Sequence, residues 1–445
     1  MKDNILVTAK ISRLFLTFVL SSVISMVLVG IQSMVDGVFL GNYESSNAMA
    51  SVNIASPYMQ LILGCCFVLC TGTLSYLGRT LGEKDIAKAK KIFKTAAVSV
   101  IVISCLLLLL GLLFHRSIAH LLGANKVLLD DTSRYILALA FFAPVISFMI
   151  LCGFMQRLIE RPNVYLAVTI CCLIGNVLMN YLFIKVLHLG VTGAALATGL
   201  SYFLGLLIVM QPFLSKNTVI NIYDGCLCCK TLKTIICNGS SEGVNYLATA
   251  LMLFLFNRAF MNYAGENGVA AFTVINYIGN FTTTVMFGIS DGIGSIISCN
   301  YGAGKGERVA KTLYMALAIN FLLGVGVLCL LHFHSSSLIN IFVSNNGKIK
   351  ELTIQGANIY AIGFLFNGYN IVMSGYHTSI GNALISALIA VGRGIIFIAI
   401  GIAIFPLFIG LSGVWFTFPF AEISTFIYCF GIGAIKRFII KQWSR

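Results

Sequence analysis

Long apolar stretches recur along the whole chain and constrain its fold more than any other feature. Twelve of them are each longer than 20 residues, and mostly short connectors separate them. A helix needs about 20 apolar residues to cross the roughly 30 Å hydrocarbon core of a bilayer. Because 58% of the 445 residues are hydrophobic and 10% are charged, a polar surface cannot cover the chain in water. The sequence therefore predicts an integral membrane protein, in agreement with its mean hydropathy of +0.94.

These stretches are predicted to form helices rather than the strands of a barrel. A transmembrane barrel would show alternating segments of roughly ten residues, whereas the runs here are continuous. We therefore expect an all-α polytopic membrane protein with twelve transmembrane helices. The predicted spans are 13–40, 50–77, 92–114, 131–156, 163–187, 191–213, 233–263, 269–298, 312–334, 353–376, 382–405 and 410–435.

Lys and Arg concentrate on one side of the predicted helices. The connector after the second span and the start of the third hold Lys84, Lys88, Lys90, Lys91 and Lys94. Because basic connectors stay on the cytoplasmic side, both termini are predicted to be cytoplasmic in a multi-pass protein of the plasma membrane. The same asymmetry accounts for the net charge of +14, so no nucleic-acid partner is expected.

An internal repeat divides the chain in two. A shift of about 220 residues places "AMASVNIASP" (48–57) on "GVAAFTVINY" (268–277), and "GVTGA" (190–194) on "GLSGV" (410–414). Six crossings return the chain to the side where it began, so the halves form two parallel six-helix repeats, a plan typical of secondary transporters. We expect an N-terminal lobe (1–213), a cytoplasmic linker (214–232) and a C-terminal lobe (233–445), with alternating access to a cavity between the lobes.

The sequence points to transport and not to an enzyme. It contains neither an HExxH zinc motif nor a Walker A loop, so the energy for transport must come from an ion gradient or from the gradient of the substrate itself. No cofactor is predicted. Most of the fourteen cysteines fall in apolar spans, where they act as small buried residues. A metal site at Cys226, Cys228 and Cys229 is the less favoured alternative to three reduced cytoplasmic thiols.

A few ionisable residues lie within the predicted spans, where an unpaired charge costs several kcal/mol. Asp36, in "IQSMVDGVFLGN", is the acid of the first span. Asn176 and Asn180 share one face of the fifth span because they are four residues apart, and the sixth span adds Thr198. These oxygens suit Na⁺, and the same carboxylate, once desolvated, suits a proton. Helix packing remains an alternative role for Asp36 and for both asparagines.

The second half offers other polar residues. At the position equivalent to Asp36 it carries Phe256, Asn257 or Arg258, depending on the alignment gap, so no acid stands there. Arg393 and Glu422 lie on neighbouring spans and have a purely structural alternative, in which each neutralises the other. The candidates for substrate binding or coupling are Gln32, Glu242, Asn257, Asp291, Arg393 and Glu422.

Several segments resemble the multidrug and toxic compound extrusion (MATE) family. They are "MVDGVFLGN", "AMASVNIASP", "LGRTLGEKD", "NVLMN", "GVTGAALAT", "CNYGAGKGERV" and "GVWFTFPFAE", and the similarity covers nearly the whole chain. Within this family, the sequence most resembles the bacterial branch that includes the MepA and DinF-like exporters. The resemblance implies two lobes about a central cavity and antiport of organic cations or other drug-like compounds against Na⁺ or H⁺.

The resemblance also implies roles for particular residues. In this family the acid of the first helix is a cation site, completed by polar residues of the fifth helix and a threonine of the sixth; those positions are Asp36, Asn176, Asn180 and Thr198. Many relatives carry a second aspartate at position 180, so Asn180 leaves the site one formal negative charge. A bending proline in the first helix of some members is missing, and Gly30 is the local candidate for a bend.

Three functions are compatible with these sequence features. The first is an ion-coupled multidrug exporter that works as a monomer, and the second is a flippase for a lipid-linked oligosaccharide or a lipid. A flippase would need a strongly basic cavity for a pyrophosphate head group, whereas acids lie in both halves here. The third is a channel, which would carry a steady current without organic substrate.

Overall fold

The computed structural model describes residues 4–216, 218–342 and 347–443. The predicted outer limits of the two lobes, residues 1 and 445, lie outside these ranges. Within them the chain is almost entirely helical, which confirms the predicted all-α class. The main helices are α1 (Ile11–Tyr43), α2 (Ser46–Gly82), α3 (Ile86–Leu121), α4 (Leu129–Leu158), α5 (Pro162–Asn180), α6 (Gly190–Val209), α7 (229–264), α8 (266–302), α9 (Gly306–Phe333), α10 (Gly347–Tyr360 and Phe364–Ser379), α11 (Ala383–Val391 and Phe397–Ile409) and α12 (Leu411–Trp443).

Ten helices in the described ranges are long and apolar enough to cross a membrane. One of these, Cys229–Gly302, holds two predicted spans, because Gly265 divides it into α7 and α8 with φ 61° and ψ −152°. Glycine adopts this backbone conformation at little cost, whereas other residues are strained there. The tenth predicted span corresponds to α10, which a 3₁₀ turn at Ala361–Gly363 divides into two shorter pieces. All twelve predicted spans therefore have a helical counterpart.

Two of the helices contain a wider turn that the apolar pattern does not predict. The chain continues beyond α5 as a π-helical turn, Tyr181–Val186, and α11 contains another at Gly392–Ile396. Such turns occur often at functional sites. The first begins directly after Asn180, and the second contains Arg393. By contrast, α1 is helical throughout, including at Gly30, the candidate for a bend.

The helices of the two halves meet closely near one end of the bundle. We call this the basic end, because the helices with odd numbers begin there and it carries the lysine-rich α2–α3 connector; the opposite end is the far end. A Cβ at Gly72 of α2 would overlap the Ile235 carbonyl oxygen of α7, and one at Gly239 would overlap the Val68 carbonyl oxygen. Gly292 of α8 is similarly close to Val19 of α1. Backbone therefore packs on backbone where the halves join.

The amino-terminal segment adds to the closure of the basic end. Its short helix, Ile5–Thr8, contacts both halves. The Ile5 N–H donates to Glu160 Oε1 at 2.5 Å in the α4–α5 connector, and the Leu6 carbonyl oxygen accepts from Asn300 Nδ2 at 2.9 Å in α8. Leu6 is fully buried, and Arg308 donates to the carbonyl oxygens of Leu6 and Ala9. The segment therefore bridges the two halves.

The predicted linker packs along α3. Lys90 Nζ lies 2.7 Å from Asp224 Oδ2, and this ammonium, together with Asn221, holds the pKa of the exposed Asp224 below its ordinary value. Lys94 Nζ donates to the Ile222 carbonyl oxygen at 2.6 Å. Part of the basic charge in the α2–α3 connector and at the start of α3 therefore fixes the linker in place.

Candidate functional site

Asp36 lies in a buried polar site formed by α1, α5 and α6. Its Oδ1 accepts from Asn180 Nδ2 at 2.7 Å and from Asn176 Nδ2 at 3.0 Å, and its Oδ2 accepts from Thr198 Oγ1 at 2.7 Å. Asn176 and Asn180 are also joined to each other at 3.1 Å, as their spacing on one helix face allows. The structure thus brings together the four residues that the sequence singles out.

The site has no cationic partner among the described side chains. None of the ion pairs there includes Asp36, although its side chain is only 7% exposed. Three hydrogen bonds stabilise a buried carboxylate, but they do not neutralise its charge. Asn180 Oδ1 is buried and has no hydrogen-bond partner. Since the two ends of an amide exchange by rotation, this site can turn several oxygens toward a small cation or hold a proton on Asp36.

Gln32 extends this polar site by one turn of α1. It is 5% exposed, and its Nε2 donates to Ser201 Oγ at 3.3 Å, while Ser201 Oγ donates to the Thr198 carbonyl oxygen at 2.7 Å. Gln32 therefore contacts α6 beside Thr198. It is a neighbour of the Asp36 site rather than a lining residue of the large cavity described next.

A cavity of about 470 Å³ lies between the halves, on the far side of the glycine contacts. Most of its wall comes from the second half, and the first half contributes Met26, Gln60, Phe67 and Thr71. Four of the predicted candidates line it: Glu242, Asp291, Arg393 and Glu422. Asn257 does not: it is exposed on α7, as is Arg258, so the prediction that Asn257 contributes to this site is not supported.

Arg393 and Glu422 form the predicted pair. Arg393 Nη2 lies 3.1 Å from Glu422 Oε1, and the side chains are 12% and 2% exposed. Asn367 Nδ2 also donates to Oε1 at 2.8 Å, and Asn370 Nδ2 donates to Oε2 at 2.7 Å. The carboxylate of Glu422 is therefore neutralised and hydrogen-bonded, in contrast to that of Asp36. Glu422 is poorly placed to take up a further cation.

Asp291 has a partner that sequence reasoning missed. Arg157 Nη1, at the end of α4, lies 3.2 Å from Asp291 Oδ2 on α8. The sequence places Arg157 just beyond the fourth span, where it reads as one more basic connector residue, but its side chain is 1% exposed. Glu242 lines the same cavity, and no ion pair of the described side chains includes it.

Phe256, one of the three residues that can align with Asp36 in the second half, lies in an aromatic cluster. Phe256 is fully buried, and its ring centroid lies 5.1 Å from that of Phe272 and 6.1 Å from that of Phe260. Trp415 extends the cluster, 4.2 Å from Phe260. Packing of this six-helix unit therefore needs no carboxylate at that position, so the polar site at Asp36 is a property of one half.

Comparison with known proteins identifies the family. The MatE family model matches residues 21–182 and 243–403. The chain belongs to the MatE family. The two matched segments begin 222 residues apart, which is the spacing of the internal repeat. Members of this family are transporters, which confirms that the chain is a transporter and not an enzyme, and its helices make it a multi-pass protein of the plasma membrane.

Similar proteins of known name include multidrug exporters. Multidrug export protein MepA of Staphylococcus aureus (strain bovine RF122 / ET3-1) is 24% identical over 390 residues, or 86% of this chain and 85% of that protein. The MepA protein of Staphylococcus saprophyticus is 24% identical over 396 residues, with the same coverage of each chain.

Similar solved structures confirm the MATE fold. An outward-facing conformation of a multidrug resistance MATE family transporter of the MOP superfamily has a TM-score of 0.89 at 21% identity and covers 99% of each chain. A MOP superfamily transporter from Pyrococcus furiosus has a TM-score of 0.90 at 20% identity and covers 98% of each chain. These similarities extend over nearly the full length of the chain.

Proposed function

We propose that this MatE protein exports organic cations by alternating access, in exchange for Na⁺ or H⁺ bound at Asp36. The observation that carries the proposal is the buried Asp36 carboxylate, which has three hydrogen-bond donors and no cationic partner among the described side chains. A charge left in this state is costly unless a cation or a proton joins it. Uptake of an ion would therefore stabilise the site and supply the coupling.

The charges of the cavity support a cationic cargo. Three carboxylates line it, those of Glu242, Asp291 and Glu422, against the single guanidinium of Arg393. Because Arg393 is paired with Glu422 and Arg157 with Asp291, Glu242 is the lining acid that no ion pair of the described side chains includes, and it leaves the cavity attractive to positive charge. A lipid pyrophosphate is itself negative and would be repelled by this lining, which disfavours the flippase. The name of the MepA relatives, multidrug export protein, agrees with an organic cargo.

The charge of the basic end supports export as the direction of transport. The charge asymmetry of the connectors supports a cytoplasmic basic end and cytoplasmic termini. The cavity then lies on the extracellular side of the glycine contacts, so the conformation described here would be the one that releases cargo. One chain supplies both halves and the cavity between them, which supports a monomer as the working unit.

Transport into proteoliposomes tests this function. With purified protein and labelled tetraphenylphosphonium, gradients of Na⁺ and of H⁺ are imposed independently, and the gradient that drives uptake identifies the coupling ion. Asp36→Asn should abolish gradient-driven uptake while the protein stays folded, as judged by size-exclusion chromatography. The matched control is Asp130→Asn, which removes an acid whose side chain is 66% exposed in a pair with Arg116. Unchanged uptake by Asp36→Asn would contradict the coupling role.

A further inference from the structure

The ion pair between Arg157 and Asp291 joins the two halves next to the cavity. Arg157 comes from α4, and Asp291 comes from α8. Arg157 Nη1 lies 3.2 Å from Asp291 Oδ2 and donates a hydrogen bond to the Asp291 main-chain oxygen, also at 3.2 Å. When the halves separate at the basic end, this pair must break, because each partner moves with its own half.

The pair is held by charge and lacks a full set of hydrogen bonds. Arg157 Nη2 and Asp291 Oδ2 are both buried without a hydrogen-bond partner. Buried polar atoms without hydrogen bonds carry a desolvation cost, which offsets part of the electrostatic attraction between the two side chains. The guanidinium of Arg157 also makes cation–π contacts within the first half, where its carbon lies 4.8 Å from the ring centroid of Phe154 and 5.6 Å from that of Tyr165. These rings would stabilise its charge after it leaves Asp291.

The carboxylate of Asp291 contacts Arg157 and also lines the cavity. Its side chain is 19% exposed, whereas that of Arg157 is 1% exposed. It lines both the large cavity and a smaller polar recess of about 30 Å³ next to it, together with Glu242. The same carboxylate is therefore accessible to a cation in the cavity and to the guanidinium that arrives when the basic end closes.

We propose that Arg157 competes with the cargo for Asp291. Arg157 forms its ion pair with Asp291 when the basic end is closed, and when that end is open Asp291 is free to bind the cationic cargo. The inference rests on the proposed function, because it assumes a cationic cargo. Closure of the basic end brings a permanent positive charge to the carboxylate and lowers the affinity for cargo. In an exporter, this ejects the cargo toward the far end. Arg157 is a positioning residue that acts on cargo through Asp291.

Thermodynamic linkage predicts in which direction the affinity for cargo should change when Arg157 is replaced. If closure weakens cargo binding, then cargo binding must favour the open basic end by the same factor. Removal of the Arg157 charge should therefore tighten cargo binding, since Asp291 is left without its competitor. A purely structural Arg157 predicts the reverse, because loss of a buried partner loosens the fold and weakens the site.

Equilibrium binding of labelled tetraphenylphosphonium to the purified full chain tests this sign. Arg157→Met should lower the Kd about tenfold, within the 5–150-fold range of typical coupling between sites. Arg157→Lys keeps the charge and should keep the Kd near that of the wild type. Arg116→Met is the matched control, because it breaks an ion pair whose side chains are 70% and 66% exposed, and its Kd should not change.

Alkylation of Cys299 supplies a second measurement. This thiol is fully buried in α8 where α8 meets α2, while Cys152 is equally buried within the first half. Peptide-resolved mass spectrometry after maleimide treatment should show that tetraphenylphosphonium speeds the reaction of Cys299 and not that of Cys152. In Arg157→Met, Cys299 should react faster even without the cation.

The possible results separate the two ideas. A wild-type protein that binds the cation, together with an Arg157→Met Kd that is equal or weaker, would overturn the competition and leave the proposed function standing. Cation binding that does not change Cys299 alkylation would also overturn it. A wild-type protein that neither binds nor transports the cation would overturn the proposed function, and this inference with it.

Discussion

Phe256 is one of the three residues that can align with Asp36 in the second half, and we predict that Asp36 and Phe256 respond differently to substitution. Phe256→Ala should lower the free energy of unfolding and leave the ion dependence of transport intact. Asp36→Asn should leave the free energy of unfolding nearly unchanged and abolish the ion dependence of transport. The reason is that Phe256 is fully buried among aromatic rings, whereas Asp36 is a buried acid whose proposed role is to bind a cation or a proton.

The expected magnitudes follow from the contacts. Truncation of a buried Phe to Ala costs about 3–5 kcal/mol, and the ring of Phe256 stacks on two neighbours at 5.1 and 6.1 Å, so about 4 kcal/mol is expected. Asp36→Asn weakens three charge-assisted hydrogen bonds of about 1.5–3 kcal/mol each. It also removes the desolvation cost of an uncompensated carboxylate, which is several kcal/mol. These opposing contributions leave a net change within about 1 kcal/mol.

Unfolding in detergent, followed by fluorescence as denaturant is added, measures both changes. Transport by the same variants in proteoliposomes gives the ion dependence. If Asp36→Asn destabilises the protein as much as Phe256→Ala, then Asp36 has a packing role and the reasoning is refuted. Loss of ion dependence in a folded Phe256→Ala protein would equally contradict the assignment of coupling to one half.

Three further predictions concern other parts of the chain. Glu422→Ala should lower the free energy of unfolding by about 3–5 kcal/mol in a thermal or denaturant assay, because it leaves the guanidinium of Arg393 buried without its acid. Gly72→Val should keep the basic end from closing, since a Cβ there overlaps a main-chain carbonyl of α7; faster hydrogen exchange in α2 and α7 would report this. Cys228 should be alkylated by maleimide with a midpoint near pH 7, because the N–H and hydroxyl of Thr231 favour the thiolate and lower its pKa from 9.0 to about 7.

Each of these predictions has a control. The double variant Glu422→Leu/Arg393→Met should regain most of the stability lost by Glu422→Ala, because it removes the unpaired charge. Gly30→Ala should leave hydrogen exchange unchanged, since a Cβ at Gly30 meets no atom within 4 Å. Thr231→Val should raise the midpoint for Cys228, and an unchanged midpoint would contradict the role of its hydroxyl.

The polar site of the first half was predictable because its signals are local. A carboxylate in an apolar run stands out, and Asn176 and Asn180 are four residues apart, which places them on one helix face. The contact between Asp36 and Thr198 could be predicted on the single assumption that α1, α5 and α6 pack together in one six-helix unit. The pair of Arg393 and Glu422 was predictable from neighbouring spans, since an opposite charge is the cheapest partner in a membrane.

Other features depend on contacts that no local pattern reports. Arg157 follows the fourth predicted span, and its partner Asp291 is 134 residues away. From the sequence alone, Arg157 therefore looks like one more basic residue of a connector. The π-helical turns after α5 and in α11 leave the hydrophobic pattern unchanged. The close approach of Gly72 and Gly239 is likewise a property of the packed halves, because glycine is common along the whole chain.

The glycine contacts at the basic end have a consequence for leakage. Where side chains interlock, two surfaces part only after rotamers change, and the gaps between rotamers admit water. At Gly72 and Gly239, backbone instead lies directly on backbone, so no side chain stands between the two helices. If the halves part here as the proposed alternating access requires, these two positions need no rotamer change and, while shut, leave no side-chain gap for a hydrated ion. A joint of this kind would let a membrane protein change conformation without short-circuiting the voltage and the ion gradients across the membrane.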